Sequence, residues 1–89
     1  MNYKSEIMNQ SEYLVEELDP LIFCQIWGLT YEKASEYLKV TARTMAAYAC
    51  QGKSTKRNPS SRVKALAAMQ HNNWIKEGKQ PIYMPLNNS

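Results

Sequence analysis

The sequence predicts an all-α fold, a compact bundle of four to five short helices followed by an extended C-terminal tail. Three observations lead there. Helix-opening residues recur along the chain, at Ser11, Asp19-Pro20, Thr30, Thr41 and Asn58-Pro59, where a side-chain oxygen can accept the orphan N–H groups of a first turn and proline has no N–H to satisfy. Between these points apolar residues return every three or four positions, while the period-two alternation of strands is nearly absent. The 89 residues, 44% hydrophobic and 21% charged, suffice for one domain with a small core and argue against wholesale disorder.

Residues 1–10 are polar and read as a frayed terminus; residues 11–79 form the domain, and 80–89 the tail. Ser11 is expected to cap a short helix running through Leu18, with Tyr13, Leu14 and Leu18 on its apolar side. Asp19 and Pro20 read as cap and first turn of the next helix. Its residues Leu21, Ile22, Cys24, Ile26 and Trp27 are apolar nearly all round, so it should lie inside. Gly28 ends it, because glycine takes the left-handed conformation without strain. Thr30 caps a helix over Tyr31–Lys39 with Ala34, Tyr37 and Leu38 on one face. Val40 interrupts, and Thr41 caps a helix that runs to Gly52. Asn58-Pro59 opens the last helix, which reaches Lys76–Glu77 and stops at Gly78. Val63, Leu66, Ala67, Gln70 and Trp74 share one face of it, and Trp74 reads as core rather than as a base-stacking platform. Pro81 and Pro85 keep the tail extended. Its apolar residues Ile82, Tyr83, Met84 and Leu86 need cover from the domain or from a second subunit.

Charge is divided unevenly. Residues 1–40 carry three lysines against seven carboxylates, whereas residues 41–89 carry eight basic residues against one acid. From Arg43 to Lys64 there are six basic residues and no acid. Such asymmetry points to a polyanion as partner of the basic half. Other classes find less support. Cys24 and Cys50 read as buried free thiols, and with a single histidine, His71, they cannot complete a zinc site. No glycine-rich phosphate loop and no nucleophile motif occurs, so no enzyme, cofactor or metal is expected. Neither a signal peptide nor an apolar run of about 20 residues is present, and the expected setting is soluble and cytoplasmic.

The segment Thr30–Cys50 carries a more specific pattern. Ala34 and Ser35 supply small residues where two helices would cross. Leu38 and Val40 bracket the turn, and Met45 and Tyr48 lie three apart on the inner face of the second helix. The run Ala34-Ser35-Glu36-Tyr37-Leu38-Lys39-Val40-Thr41-Ala42-Arg43-Thr44-Met45-Ala46-Ala47-Tyr48 resembles the helix-turn-helix of small bacterial and phage regulators, the broad group of phage-repressor, mercury-regulator and excisionase-like proteins. The resemblance spans about a quarter of the chain. It implies a bracing helix over 31–39 and a helix over 41–51 that inserts into the major groove. Lys39 departs from the pattern, since it stands where these families favour glycine. A non-glycine residue at positive φ costs of order 1 kcal/mol, so the turn is expected to differ slightly in shape.

With Met45 and Tyr48 turned inward, Thr41, Ala42, Arg43, Thr44, Ala46 and Ala47 are left nearer the groove. Arg43 is the one long donor among them and is the candidate base reader, through guanine O6 and N7. The alanines permit close approach or contact thymine methyls. Thr41 and Thr44 can bond phosphates or bases. Lys53, Ser54, Thr55, Lys56 and Arg57 supply cations and hydroxyls that could follow a phosphate strand or place Arg57 in a minor groove, and Ser60, Ser61 and Arg62 stand at the start of the last helix, where backbone N–H groups bind phosphate. The expected function is that of a sequence-specific DNA-binding transcriptional regulator, a repressor working as a homodimer on double-stranded DNA. Two readings compete. One is a protein-interaction module (antitoxin, antirepressor or adaptor) that keeps the helix-turn-helix as architecture, and the alanine-rich helix favours it. The other is a recombination or excision accessory factor, for which no β-wing after Gly52 is visible.

Overall fold

Capping chemistry fixes where the helices begin. In the computed structural model, which describes residues 14–50 and 57–82, the Asp19 carboxylate accepts the Leu21 N–H at 2.8 Å and opens α1, Pro20–Trp27. Thr30 Oγ1 accepts from Lys33 N at the start of α2, Tyr31–Leu38. Thr41 Oγ1 accepts from Thr44 N at the start of α3, Ala42–Ala49. Ser60 Oγ accepts from Val63 N at the start of α4, Ser61–Lys76. The described residues are thus all-α, with these four helices and no strand.

The last of these caps corrects an expectation. Asn58 and Pro59 precede α4 without capping it, because Ser60 is the residue whose oxygen reaches the amide three positions on. The helix expected through Leu18 is absent over its described part, since Leu14–Asp19 form no helix. They make a strap along α4 instead. Leu18 N donates to Lys64 O at 3.1 Å, and Asn72 clamps Val15 from both sides, accepting its N–H at 3.0 Å and donating to its carbonyl at 2.8 Å. Backbone groups spent on α4 cannot close helical turns. Asp19, held extended at φ −60°, ψ 131° before Pro20, ends the strap. The remaining residues of that expected helix, 11–13, lie outside the described ones.

Helix ends follow the same logic. Gly28 closes α1 at φ 65°, ψ 40°. Lys39 closes α2 at φ 61°, ψ 38°, so the turn does not change shape to avoid the strain; the lysine takes the left-handed conformation that glycine usually occupies. Helix α3 ends at Ala49 rather than at residue 51 or 52. Cys50 is extended, and both the Cys50 and the Arg57 N–H groups bond to Ala47 O, each at 3.2 Å. Glu77 caps α4, and Gly78 turns the chain at φ 87°.

Helices α1 and α2 pack on α4, and α3 packs on α1 and α2. Phe23, Ile26, Ala34, Met45 and Ala67 are fully buried where they meet, together with Leu38 and Tyr48. An aromatic cluster joins α1, α2 and α4. Trp74 stacks on Phe23 with centroids 5.8 Å apart, meets Tyr37 edge-on at 5.1 Å and touches Trp27 at 4.8 Å. The buried stripe of α4 is Val63, Ala67, Ala68, His71 and Ile75, rotated from the expected one. Leu66, Gln70 and Trp74 are only half-buried. The rotation places His71 wholly inside, where its Nδ1 accepts the Trp27 indole N–H at 3.0 Å. An indole nitrogen can only donate, so Nδ1 holds a lone pair and the imidazole is the neutral Nε2-protonated tautomer. The beginning of the tail returns to α1, with Ile82 N donating to Ile26 O at 2.7 Å; residues 83–89 lie outside the described ones.

Candidate nucleic-acid interface

The geometry around α3 begins with what holds it. Met45 and Tyr48 are buried, as their three-residue spacing predicts, and anchor α3 against α1 and α2. Only Lys39, Val40 and Thr41 separate α2 from α3, and Val40 is half-buried against the core. Two eight-residue helices are thus joined by a three-residue turn, with α3 packed on α1 and α2.

What α3 presents follows from its period. At about 100° per residue, the direction opposite Met45 and Tyr48 falls on Arg43, Ala46 and Ala47, with Cys50 continuing the line. Arg43 and Ala46 are exposed, while Ala47 and Cys50 are half-buried. Thr41 is exposed at the helix start and Ala42 is half-buried to one side. Half-buried Thr44 sits on the other side, with its hydroxyl and its amide both engaged by Thr41, each at 3.0 Å. Capping thus occupies part of the hydrogen-bonding capacity that the sequence offered to phosphates. Cys50, read from the sequence as a buried thiol, is instead half-buried at the end of this line.

The basic segment after α3 is anchored to it. The bond from Arg57 N to Ala47 O brings the end of that segment to the last turn of α3, with the Arg57 residue exposed. Ser60, Ser61 and Arg62 are also exposed at the start of α4. Ser60 belongs to the cap and Ser61 to the first helical position. Lys53, Ser54, Thr55 and Lys56 lie outside the described residues. No carboxylate occurs between Glu36 and Glu77, so Arg43, Arg57, Arg62 and half-buried Lys64 stand in a stretch of chain without acids. The described acids of the first half lie on the strap (Glu16, Glu17), at the α1 cap (Asp19) and on α2, where Glu36 meets Lys33 at 3.9 Å in an exposed pair.

The remaining chemistry is sparse among the described residues. No three of His, Cys, Asp and Glu gather where a metal ion could be held. Cys24 and Cys50 are free thiols, the first buried and the second half-buried. Burial pushes the Cys24 thiol above its ordinary pKa, and the Asp19 carboxylate adds to the shift. Among the described residues no helix is long and apolar enough to cross a membrane. Compared with protein-family models, with curated proteins and with solved structures, the chain gives no match.

Proposed function

We propose that the protein is a sequence-specific DNA-binding transcriptional regulator, acting as a repressor, in which α2 and α3 form a helix-turn-helix and α3 enters the major groove. The observation that carries this reading is the outward stripe of α3. A helix anchored by Met45 and Tyr48 directs its one long donor, Arg43, away from the core, beside a carboxylate-free stretch with six basic residues between Arg43 and Lys64. Arg43 reads a base, and the exposed Arg57 and Arg62, with Lys53 and Lys56, contact phosphates. One such motif reads only a few base pairs, so the protein acts as a homodimer on a two-fold site with half-sites about one helical turn apart. Leu18 is buried in its own monomer and drops out of the dimer surface, which leaves the tail as its candidate.

Binding to duplex DNA at several salt concentrations tests the reading. Affinity should fall steeply, with a log–log slope near −0.9 per neutralised phosphate. Arg43→Ala should lose about 1–3 kcal/mol on the specific site and relax one position, whereas Lys56→Ala should weaken all sequences alike. The alanine-rich face of α3 favours a second reading, a protein-interaction module. Absence of DNA binding at low salt by a folded protein would select it.

A further inference from the structure

The aromatic corner between α1 and α4 holds a titratable group that DNA binding does not use. His71 is the single histidine of the chain and is wholly buried. Its Nδ1 accepts the Trp27 indole N–H at 3.0 Å, and the two rings meet edge-on with centroids 5.7 Å apart. An indole nitrogen donates and cannot accept. A proton on Nδ1 would turn a second N–H against the first and would place a positive charge where water does not reach. Both effects oppose protonation inside the fold. The neighbouring charges do not offset them. On α1, burial and the Asp19 carboxylate push the Cys24 thiol up, which keeps it neutral, and Asp19 stands at the opposite end of that helix from Trp27. Helix α2 turns half-buried Tyr37 toward α4, edge-on to Trp74, and leaves Glu32, Lys33 and Glu36 exposed. The strap brings Glu16 and Glu17, and the turn after α4 brings Lys79, all three exposed. On α4, half-buried Lys64 lies on the side of His71 two turns earlier, where its charge opposes a second cation, and Lys76 and Glu77 are exposed. Solvent screens the exposed charges, so they act weakly on the buried ring.

We propose that His71 and Trp27 form a proton-sensitive latch between α1 and α4, closed while the imidazole is neutral and released when acid charges it. Trp27 is the last residue of α1 before the Gly28 closure, and Ile26 beside it accepts the backbone bond from Ile82. Release therefore frees the end of α1 and the start of the tail together. The unfolded imidazole takes up a proton near its ordinary pKa of about 6.5, and the folded one resists it. The stability held by the latch is thus complete above that value and is lost as pH falls below it.

The intact chain tests this through its one histidine. Urea unfolding is measured across the range, and the ring nitrogens of labelled protein are followed by NMR in the folded state. The unfolding constant should rise about tenfold from about pH 7.5 to about pH 5.5, the consequence of one proton bound only by the unfolded chain. Over the same range the folded protein should keep Nδ1 unprotonated. In His71→Gln the side-chain oxygen can still accept from Trp27 and nothing titrates, so the rise should flatten. A folded ring that takes up its proton near pH 6.5 overturns the latch. So does an unfolding constant that moves less than about twofold, or a folded His71→Gln variant that keeps the full rise. Should that variant not fold, the nitrogen shifts of the unaltered chain decide. None of these outcomes bears on DNA binding, which is measured separately at neutral pH.

Discussion

The closures of α1 and α2 share one backbone and differ in almost everything around it. Gly28 and Lys39 adopt nearly the same left-handed conformation. In each closure the left-handed residue and the one after it donate to a single carbonyl, Cys24 O for Gly28 and Leu29, and Ser35 O for Lys39 and Val40. The second donor makes the 6→1 bond of a Schellman closure and the first the 5→1 bond of the αL closure, so one orphan carbonyl takes both. At the first closure the surroundings add a second demand. Trp27 is tied to His71, Ile82 is bonded to Ile26, and a Cβ on Gly28 would stand 2.6 Å from Ile82 Cδ1. At the second closure Lys39 is exposed. The contrast teaches that the left-handed backbone alone tolerates a lysine, and that a side chain at position 28 would in addition displace the exposed tip of Ile82.

Trp27→Phe should be the largest perturbation, because it strikes the anchorage that sets the first closure apart. The indole donor disappears and the wholly buried Nδ1 of His71 loses that partner. Adding the lost packing, the expected loss is about 2–3 kcal/mol, read as a lower denaturant midpoint at unchanged slope. A loss under half a kilocalorie would mean that the two closures are anchored alike. Gly28→Ala should come next, at a net loss of about 1 kcal/mol, the left-handed penalty of about 1–2 kcal/mol being offset in part by the reduced freedom of the unfolded chain. The tip of Ile82 must also move. Its clash is isolated by the pair Gly28→Ala and Ile82→Ala, whose combined effect should be less than the sum of the two.

The same contrast separates what was legible in the sequence from what was not. The caps at Asp19, Thr30 and Thr41, the stop at Gly28 and the inward pair Met45 and Tyr48 are local features. Each depends on residues within one helical turn, and each stands where the pattern puts it. Apart from the cap of α4, which shifts locally from Asn58 to Ser60, the failures involve partners farther along the chain. The strap replaces a helix because Val15 and Leu18 bond to Asn72 and Lys64, 57 and 46 positions away. The buried face of α4 rotates so that His71 can meet Trp27, 44 residues earlier in the chain. Helix α3 stops short where the Arg57 N–H returns to Ala47 O. In the candidate site, the stripe Arg43–Ala46–Ala47 was readable from periodicity. The engagement of Thr44 by Thr41 was not, because a threonine can equally serve a cap or a ligand.

Lys39→Gly reverses the expected sign. Glycine removes a left-handed penalty of about 1–2 kcal/mol but gives the unfolded chain more freedom, an offset of about 0.4–1 kcal/mol. The net gain should be a few tenths to about 1 kcal/mol, seen as a higher midpoint in urea. If stability falls instead, the Lys39 side chain makes a contribution that outweighs the strain, and the two closures are less alike than their dihedrals imply.

Ser35→Ala should have the smallest effect and sharpens the comparison at the accepting end. Ser35 supplies the carbonyl that takes both closing bonds of α2, the part that Cys24 plays in α1. Its own hydroxyl donates to Glu32 O at 2.7 Å in an exposed setting. That carbonyl already lies on the helical ladder, and back-bonding of this kind adds little to a helix. Alanine is the better helix former by up to about half a kilocalorie, so the two terms nearly cancel. The closing bonds come from the main chain and survive the substitution. The midpoint should therefore move by less than about 0.5 kcal/mol in either direction, the usual range for a surface change that leaves backbone bonding intact. Amide hydrogen exchange at Lys39 and Val40 gives the stricter measure. Unchanged protection there would place the closure in the backbone, whereas faster exchange would mean that the Ser35 hydroxyl helps hold the carbonyl in position.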